Sequence, residues 1–322
     1  MPRELFKQLL RVALLAVVPL AAFAQDAPPV QDWSPGIETV VVTANRAGPL
    51  MWRVTKGDST LVLIGIVGPV PENLPWNSAG VGDALKGARA LLLPPRASVG
   101  IVEGLWFLTW HSDAIYLPSE TPMESTLPPA LRQRFVAIRE KLQRDADRYA
   151  RLRVPLAGLR LEGDFLKANK LTSGEPADTV EHMARHLDVP TDPVASYEAL
   201  PMVRQLPKLS AAANEACMKA ALDDIDAIGA HAAAAAEAWA VGDLKGIEAN
   251  YSEDRFESCV QSMPSFAALF ARAVNDSVNT ATTALARPGK TVMLVSIGTL
   301  LRKDGILDRL KALGLTVEAP GR

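Results

Sequence analysis

The chain is poor in the residues from which metal and redox sites are usually assembled. Of its 322 residues four are histidine and two are cysteine, so sites built on repeated C-x-x-C pairs are excluded. Neither sign of charge is in excess: 34 basic residues face 36 acidic ones, a formal net charge of −2. That balance gives no electrostatic footing for nucleic acid or for an anionic membrane surface. There is also no P-loop, no G-x-S-x-G elbow and no G-x-G-x-x-G turn. Long apolar runs are missing as well. The N-terminal one is shorter than the roughly 20 residues a spanning helix needs, and no later stretch is long enough to serve as an anchor.

That N-terminal run reads as an address. Arg3, Lys7 and Arg11 supply a positive region, Val12 to Ala21 an apolar core, and Ala22-Phe23-Ala24 before Gln25 a cleavage site. The expectation is a signal peptide over residues 1–24, cleaved after Ala24, and a periplasmic mature protein; an uncleaved anchor is the alternative. No cysteine follows the cleavage site, which argues against a lipid-anchored form. Residues 25–48 form a tail in which Pro28, Pro29 and Pro35 mark a flexible linker. Within it Ile37 to Ala44 alternates β-branched residues and resembles the TonB box of outer-membrane transporters. An edge strand on the protein's own sheet explains the same alternation. The two cysteines, Cys217 and Cys259, are 42 residues apart. An even pair in an exported chain reads as a disulfide stabilising the fold by roughly 3 to 5 kcal/mol. A catalytic thiol is the competing reading.

Residues 49–322 read as one α/β domain. Met51 to Lys56 and Thr60 to Ile66 alternate around Gly57-Asp58 as a β-hairpin. The second strand enters a turn, Gly65 to Pro71. A helix over Ser78 to Lys86 precedes a strand within Ala88 to Pro95. The region from about 125 to 286 reads as a large helical insertion. In it Leu131, Phe135, Ile138 and Leu142 fall at helical spacing, opposite a basic face expected to be solvated. A long alanine-rich helix runs from Ala211 to Trp239. There Gly242 reads as a helix stop and Asp243 as the cap of the next helix. A helix over Leu269 to Ala286 leads to a strand over Thr291 to Ile297, then to a second glycine turn at Gly298-Thr299-Leu300.

The order of these elements resembles the TraB/GumN/Tiki family. Trp52, Arg53, Gly57, Asp58, Ser59, Gly65, Pro69 and Pro71 fit its opening frame. Ala238-Trp239-Ala240-Val241-Gly242-Asp243 resembles its A-W-x-x-G-D-L segment. Arg287-Pro288-Gly289-Lys290, the following strand and Asp304-Gly305-Ile306-Leu307 resemble its C-terminus. The resemblance implies a central mixed β-sheet made from two similar β/α halves and flanked by helices. It also implies a metal-dependent hydrolase, and there the chain departs. Gly68 stands where the G-x-x-H histidine is expected, Leu93 or Pro94 where a carboxylate is expected, and Thr299 where a second histidine is expected. Ser296 replaces a glycine, and Val274 the arginine of an R-N pair that keeps Asn275.

No catalytic residue and no cofactor are therefore assigned. The candidate ligand-binding rim consists of Gly65, Gly68, Ser296, Gly298 and Thr299, whose amides and hydroxyls suit a small polar ligand. His182 and His186, four apart on a helix, are the weak candidates for a metal clamp; Glu181 precedes rather than separates them, so the H-E-x-x-H logic fails. Three functions follow: a non-catalytic binding or regulatory protein of the periplasm, acting on a protein partner or a small polar ligand; a metal-dependent hydrolase using other residues, Glu198 among them; and an envelope interaction module acting through Ile37 to Ala44.

Overall fold

Trp52 and Val54 are buried between more exposed neighbours in strand β1 (Met51–Lys56). The chain reverses at Gly57, whose φ of 54° is a left-handed conformation that suits glycine, and enters β2 (Ser59–Ile66). Pairing runs from Met51↔Ile64 to Lys56↔Ser59, the hairpin expected from the alternation. The structure is a computed structural model that describes residues 48–251, 255–256, 259 and 264–320. The expected signal peptide and the Ile37 to Ala44 segment lie outside those residues.

The described elements continue with β3 (Val70–Pro71), α1 (Ala79–Leu85), β4 (Ala88–Leu93), β5 (Arg96–Ser98), α2 (Ile101–Trp110) and α3 (Pro129–Lys141). Next come α4 (Val154–Ala168), β6 (Leu171–Thr172), α5 (Glu175–His186), β7 (Thr191–Pro193) and β8 (Ser196–Glu198). The chain then forms α6 (Ala211–Val241), α7 (Leu244–Asn250), α8 (Pro264–Leu285), β9 (Gly289–Ser296), α9 (Ile297–Leu301), α10 (Ile306–Ala312) and β10 (Thr316–Glu318). Among the described residues no helix is long and apolar enough to cross a membrane.

Six strands form the central mixed sheet in the order β10-β1-β2-β9-β4-β7. β1 is antiparallel to β2 and β10, while β2, β9, β4 and β7 run parallel. Successive side chains on a strand point to opposite faces, and the sheet is buried on both. Leu61, Leu63, Met293 and Val295 face a cluster with Ala236, Trp239, Ile247, Val278, Ala281 and Leu310 of helices α6, α7, α8 and α10. Val62, Ile64, Val292 and Leu294 face Val81, Leu85, Val180 and Ala184 of α1 and α5. This two-sided burial is why β2 and β9 read as unbroken apolar runs rather than alternating ones.

The helical layer is organised by α6, 31 residues long. Ser210 caps its start by accepting from the Ala213 N–H, and Gly242, at φ 73°, ends it. Helix α4 packs closely on α6 at Gly158, where an added Cβ would meet the Ala221 methyl at 2.9 Å. A Cys217–Cys259 disulfide with a Cα–Cα separation of 5.3 Å adds a covalent tie, and the described residues contain no free thiol.

Four local expectations change. The basic face of α3 is partly docked rather than solvated: Arg134 forks between Asp223 and Asp226 of α6, and Arg139 pairs with Glu124. Asp243 occupies the N-cap position of α7 but makes no side-chain cap bond. Helix α8 begins at Pro264 rather than Leu269, because a proline suits a first helical turn. The second glycine segment is no turn; β9 passes directly into α9 because the Ser296 hydroxyl caps a helix there.

Candidate functional site

In sheets of this kind the carboxyl ends of parallel strands are where loops converge on ligands. The register fixes what stands there. Ile66 pairs with Ser296 and Leu93 with Pro193, so the segments leaving β2, β9, β4 and β7 emerge along one rim, about 14 Å wide at ordinary strand spacing. Gly68 follows Ile66 by two residues and Gly298 follows Ser296 by two. Pro94 follows Leu93 directly.

The places after β2 and β9 are occupied by structural devices. Gly68 is exposed, and a Cβ added to it would lie 3.2 Å from the Ser173 carbonyl oxygen. The segment beyond it is tied down by pairing of Val70 with Thr172. The Asn73 N–H adds a tie, donating to both carboxylate oxygens of Glu175, at 2.9 and 3.1 Å. On the neighbouring strand the Ser296 Oγ accepts from the Thr299 N–H at 3.3 Å and lies 3.4 Å from the Thr299 hydroxyl. Gly298 sits under Tyr251, whose hydroxyl would be 2.7 Å from an added Cβ. Gly65 lies behind the rim: it is buried, its N–H donates to Leu50 O at 3.4 Å and its carbonyl accepts from the Trp239 indole at 2.7 Å. Trp239, in turn, meets Trp76 edge-on at 5.3 Å. The A-W-x-x-G-D segment thus braces the rim from beneath.

A divalent metal with hydrolytic function needs imidazole or carboxylate donors at an open site. Gly68 offers no side chain, Leu93 an aliphatic one, Pro94 a pyrrolidine ring and Thr299 a neutral hydroxyl 3.4 Å from the Ser296 Oγ. These positions do not fit a metal. The Nε2 atoms of His182 and His186 are 2.9 Å apart on the exposed side of α5. From Glu175, beside the Gly68 turn, α5 runs about 16 Å to His186. Among the described residues no group of three or more His, Cys, Asp or Glu side chains is placed to hold a metal. His111 packs against Trp106 and Phe107, and His231 is exposed on α6.

Two arrangements went unnoticed in the sequence. Beyond the ends of β4 and β7, the parallel pair β5 and β8 borders a groove of about 350 Å³ lined by residues including Val102, Trp106, Glu198, Leu200 and Arg204. Beside Glu198, the Tyr197 hydroxyl donates to Asp276 at 2.6 Å, with the Arg272 guanidinium 5.6 Å from the Tyr197 ring. Burial and that hydrogen bond push the Tyr197 hydroxyl up to about 12. The second lies in the helical layer. Asp164, 4% exposed, accepts a bidentate pair from Arg148 and a 2.6 Å bond from Tyr149. Arg144 and Arg160 stand 4.0 and 3.9 Å away, each with a buried Nε that makes no hydrogen bond among the described residues. Burial pushes the Asp164 carboxyl up, but the Arg148 and Tyr149 bonds outweigh it and hold it below the usual range. The only sequence signal was a run of arginines from Arg144 to Arg160, in which Asp164 had no mark of its own.

Sheet order, parallel strand ends and a helix layer on each face define an α/β protein with its open edge at the carboxyl ends of β2, β9, β4 and β7. Residues 50–319 match the TraB/PrgY/gumN family, and the chain belongs to it. Comparison with curated proteins and with solved structures gave no match.

Proposed function

We propose that this protein is an exported, non-catalytic member of its family, which keeps the fold for binding in the periplasm. The observation that carries the reading is the chemistry of three neighbouring strand ends: Gly68, Leu93 or Pro94, and Thr299 offer neither an imidazole nor a carboxylate as metal ligand, general acid or base. Gly68 and Thr299 are also engaged in holding the backbone, as a fold retained without its reaction requires. The amides of Gly68 and Gly298 with the hydroxyls of Ser296 and Thr299 suit a small polar ligand at the rim, or the polar edge of a protein partner. The N-terminal address and the Cys217–Cys259 bridge support an oxidising, exported setting. A hydrolase relying on His182 and His186 draws no support from their placement along α5. Action through Ile37 to Ala44 is tested by deleting that segment and following envelope association.

Elemental analysis of the purified mature protein, paired with a peptidase assay in the presence of divalent metals, tests the reading. The expected result is no stoichiometric metal and no metal-stimulated hydrolysis. Metal-dependent activity abolished by substitution at Ser296 or Thr299 would overturn it. The Gly68→His/Thr299→His double variant adds a sharper arm, since metal uptake by that form alone marks the scaffold as intact and the native site as emptied.

A further inference from the structure

Helix α2, Ile-Val-Glu-Gly-Leu-Trp-Phe-Leu-Thr-Trp, turns most of its apolar side chains outward. Ile101 is 54% exposed, Val102 74%, Leu105 52%, Trp106 52% and Trp110 69%, while only Gly104 and Phe107 are buried. At about 100° per residue the five exposed residues share one half of the helix, opposite Phe107. With ordinary side-chain areas they present on the order of 600 Å² of apolar surface, as much as the largest patch a typical monomer shows. It is also most of the roughly 800 Å² each partner gives to a standard interface.

We propose that α2 is the contact helix of a two-fold dimer, packed antiparallel against α2 of a second copy of this chain. The stripe is self-complementary in the way a two-fold contact demands. About an axis between Leu105 and Trp106, Ile101 meets Trp110 of the second copy, Val102 meets Thr109, and Leu105 meets Trp106. Trp110 of each copy then reaches the Val102 end of the other helix, where the groove of about 350 Å³ lies. An aromatic anchor entering a pocket is the usual core of such a contact. Glu103 and Glu198 line the groove together with Arg204, which stacks over Phe107 of the same copy at 5.6 Å. A lipid surface is a poorer occupant: α2 has no Lys or Arg to meet anionic headgroups, and its groove carries two carboxylates.

Sedimentation and light scattering of the mature chain across a range of concentrations test this, with Leu105→Glu and Trp110→Glu as variants. These side chains are exposed in the single chain, so far-ultraviolet circular dichroism is expected to stay native. The expected result is a wild-type dimer and at least a tenfold weaker association in either variant. A Val102→Cys/Thr109→Cys double variant, whose two thiols lie too far apart on one helix to join, is expected to cross-link between copies on oxidation. A wild-type chain that is monomeric throughout, or a dimer unmoved by both glutamates, would overturn the proposal. So would a monomer that binds anionic vesicles through Trp106 and Trp110.

Discussion

At the rim of the sheet, Gly68, Pro94 and Thr299 stand at strand ends without an ionisable side chain, whereas in the helical layer the buried Asp164 gathers three partly exposed arginines and the buried Tyr149. The first place is where family chemistry is expected and holds neutral backbone devices. The second lies within helix α4 and holds a buried carboxylate bonded to Arg148 and Tyr149. The difference teaches that perturbed titration follows burial and pairing, and marks a site only where groups also face a ligand. In the cluster, burial and then the neighbouring Arg148 charge push the Arg160 guanidinium down, while burial and Asp164 push the Tyr149 hydroxyl up. Those shifts record the assembly of α4 with the segment before it. At the rim, glycine and a serine cap record the assembly of β2 with β9.

The contrast is broken most severely at Asp164. Asp164→Asn leaves Arg148 without its carboxylate and is expected to destabilise the fold by about 3 to 5 kcal/mol in urea unfolding. A loss below about 1 kcal/mol would mean that the cluster is solvated and weak. The rim's rigidity is probed next by Gly65→Ala. Its Cβ would fall 2.5 Å from Ile297 Cδ1 and 3.2 Å from the Trp52 ring, so a cost of about 1 to 3 kcal/mol is expected in the same measurement.

The dependence of stability on pH sharpens the comparison further. The Asp164 carboxyl is held below its ordinary value, so its contribution is present above about pH 4 and is lost as pH falls through the lower folded value. The Tyr197 hydroxyl is raised to about 12. Its contribution is present below about pH 10 and is lost as pH rises toward its folded value. Thermal unfolding against pH is expected to show a shallower acid limb in Asp164→Asn and a shallower alkaline limb in Tyr197→Phe. The smallest effects belong to the strand end itself. Ser296→Ala removes the α9 cap and is expected to cost about 1 kcal/mol. Thr299→Val should change stability by no more than about 0.5 kcal/mol, read from the unfolding midpoint.

Much of the fold was legible in the residues. The hairpin at Gly57, the strand at Ala88, the long alanine-rich helix with its stop at Gly242, and the cysteine pair all follow from local pattern or count. The rim was legible as two glycine segments at the ends of apolar runs, but their different fates were not. The first segment lies against Ser173, a residue about a hundred positions away in the chain, whereas the second becomes helix because one hydroxyl can reach an N–H three residues on. The groove beside α2 was illegible, because Glu103, Glu198 and Arg204 come from separate parts of the chain. The outward turn of Trp106 and Trp110 was also hidden, since an apolar helix reads alike whether it is buried or exposed.

By itself the sequence determined the α/β class, the two apolar strands and the order of elements. These are properties of local period and residue identity, which the backbone's two repeats translate directly into elements. Only the tertiary structure decided that β9 inserts between β2 and β4, that Trp239 braces Gly65 across 174 residues, and that Asp164 and Asp224 carry buried charge in the helical layer. Such pairings join residues distant in the chain, so their energies arise when the layers close and leave no period in the sequence to be read.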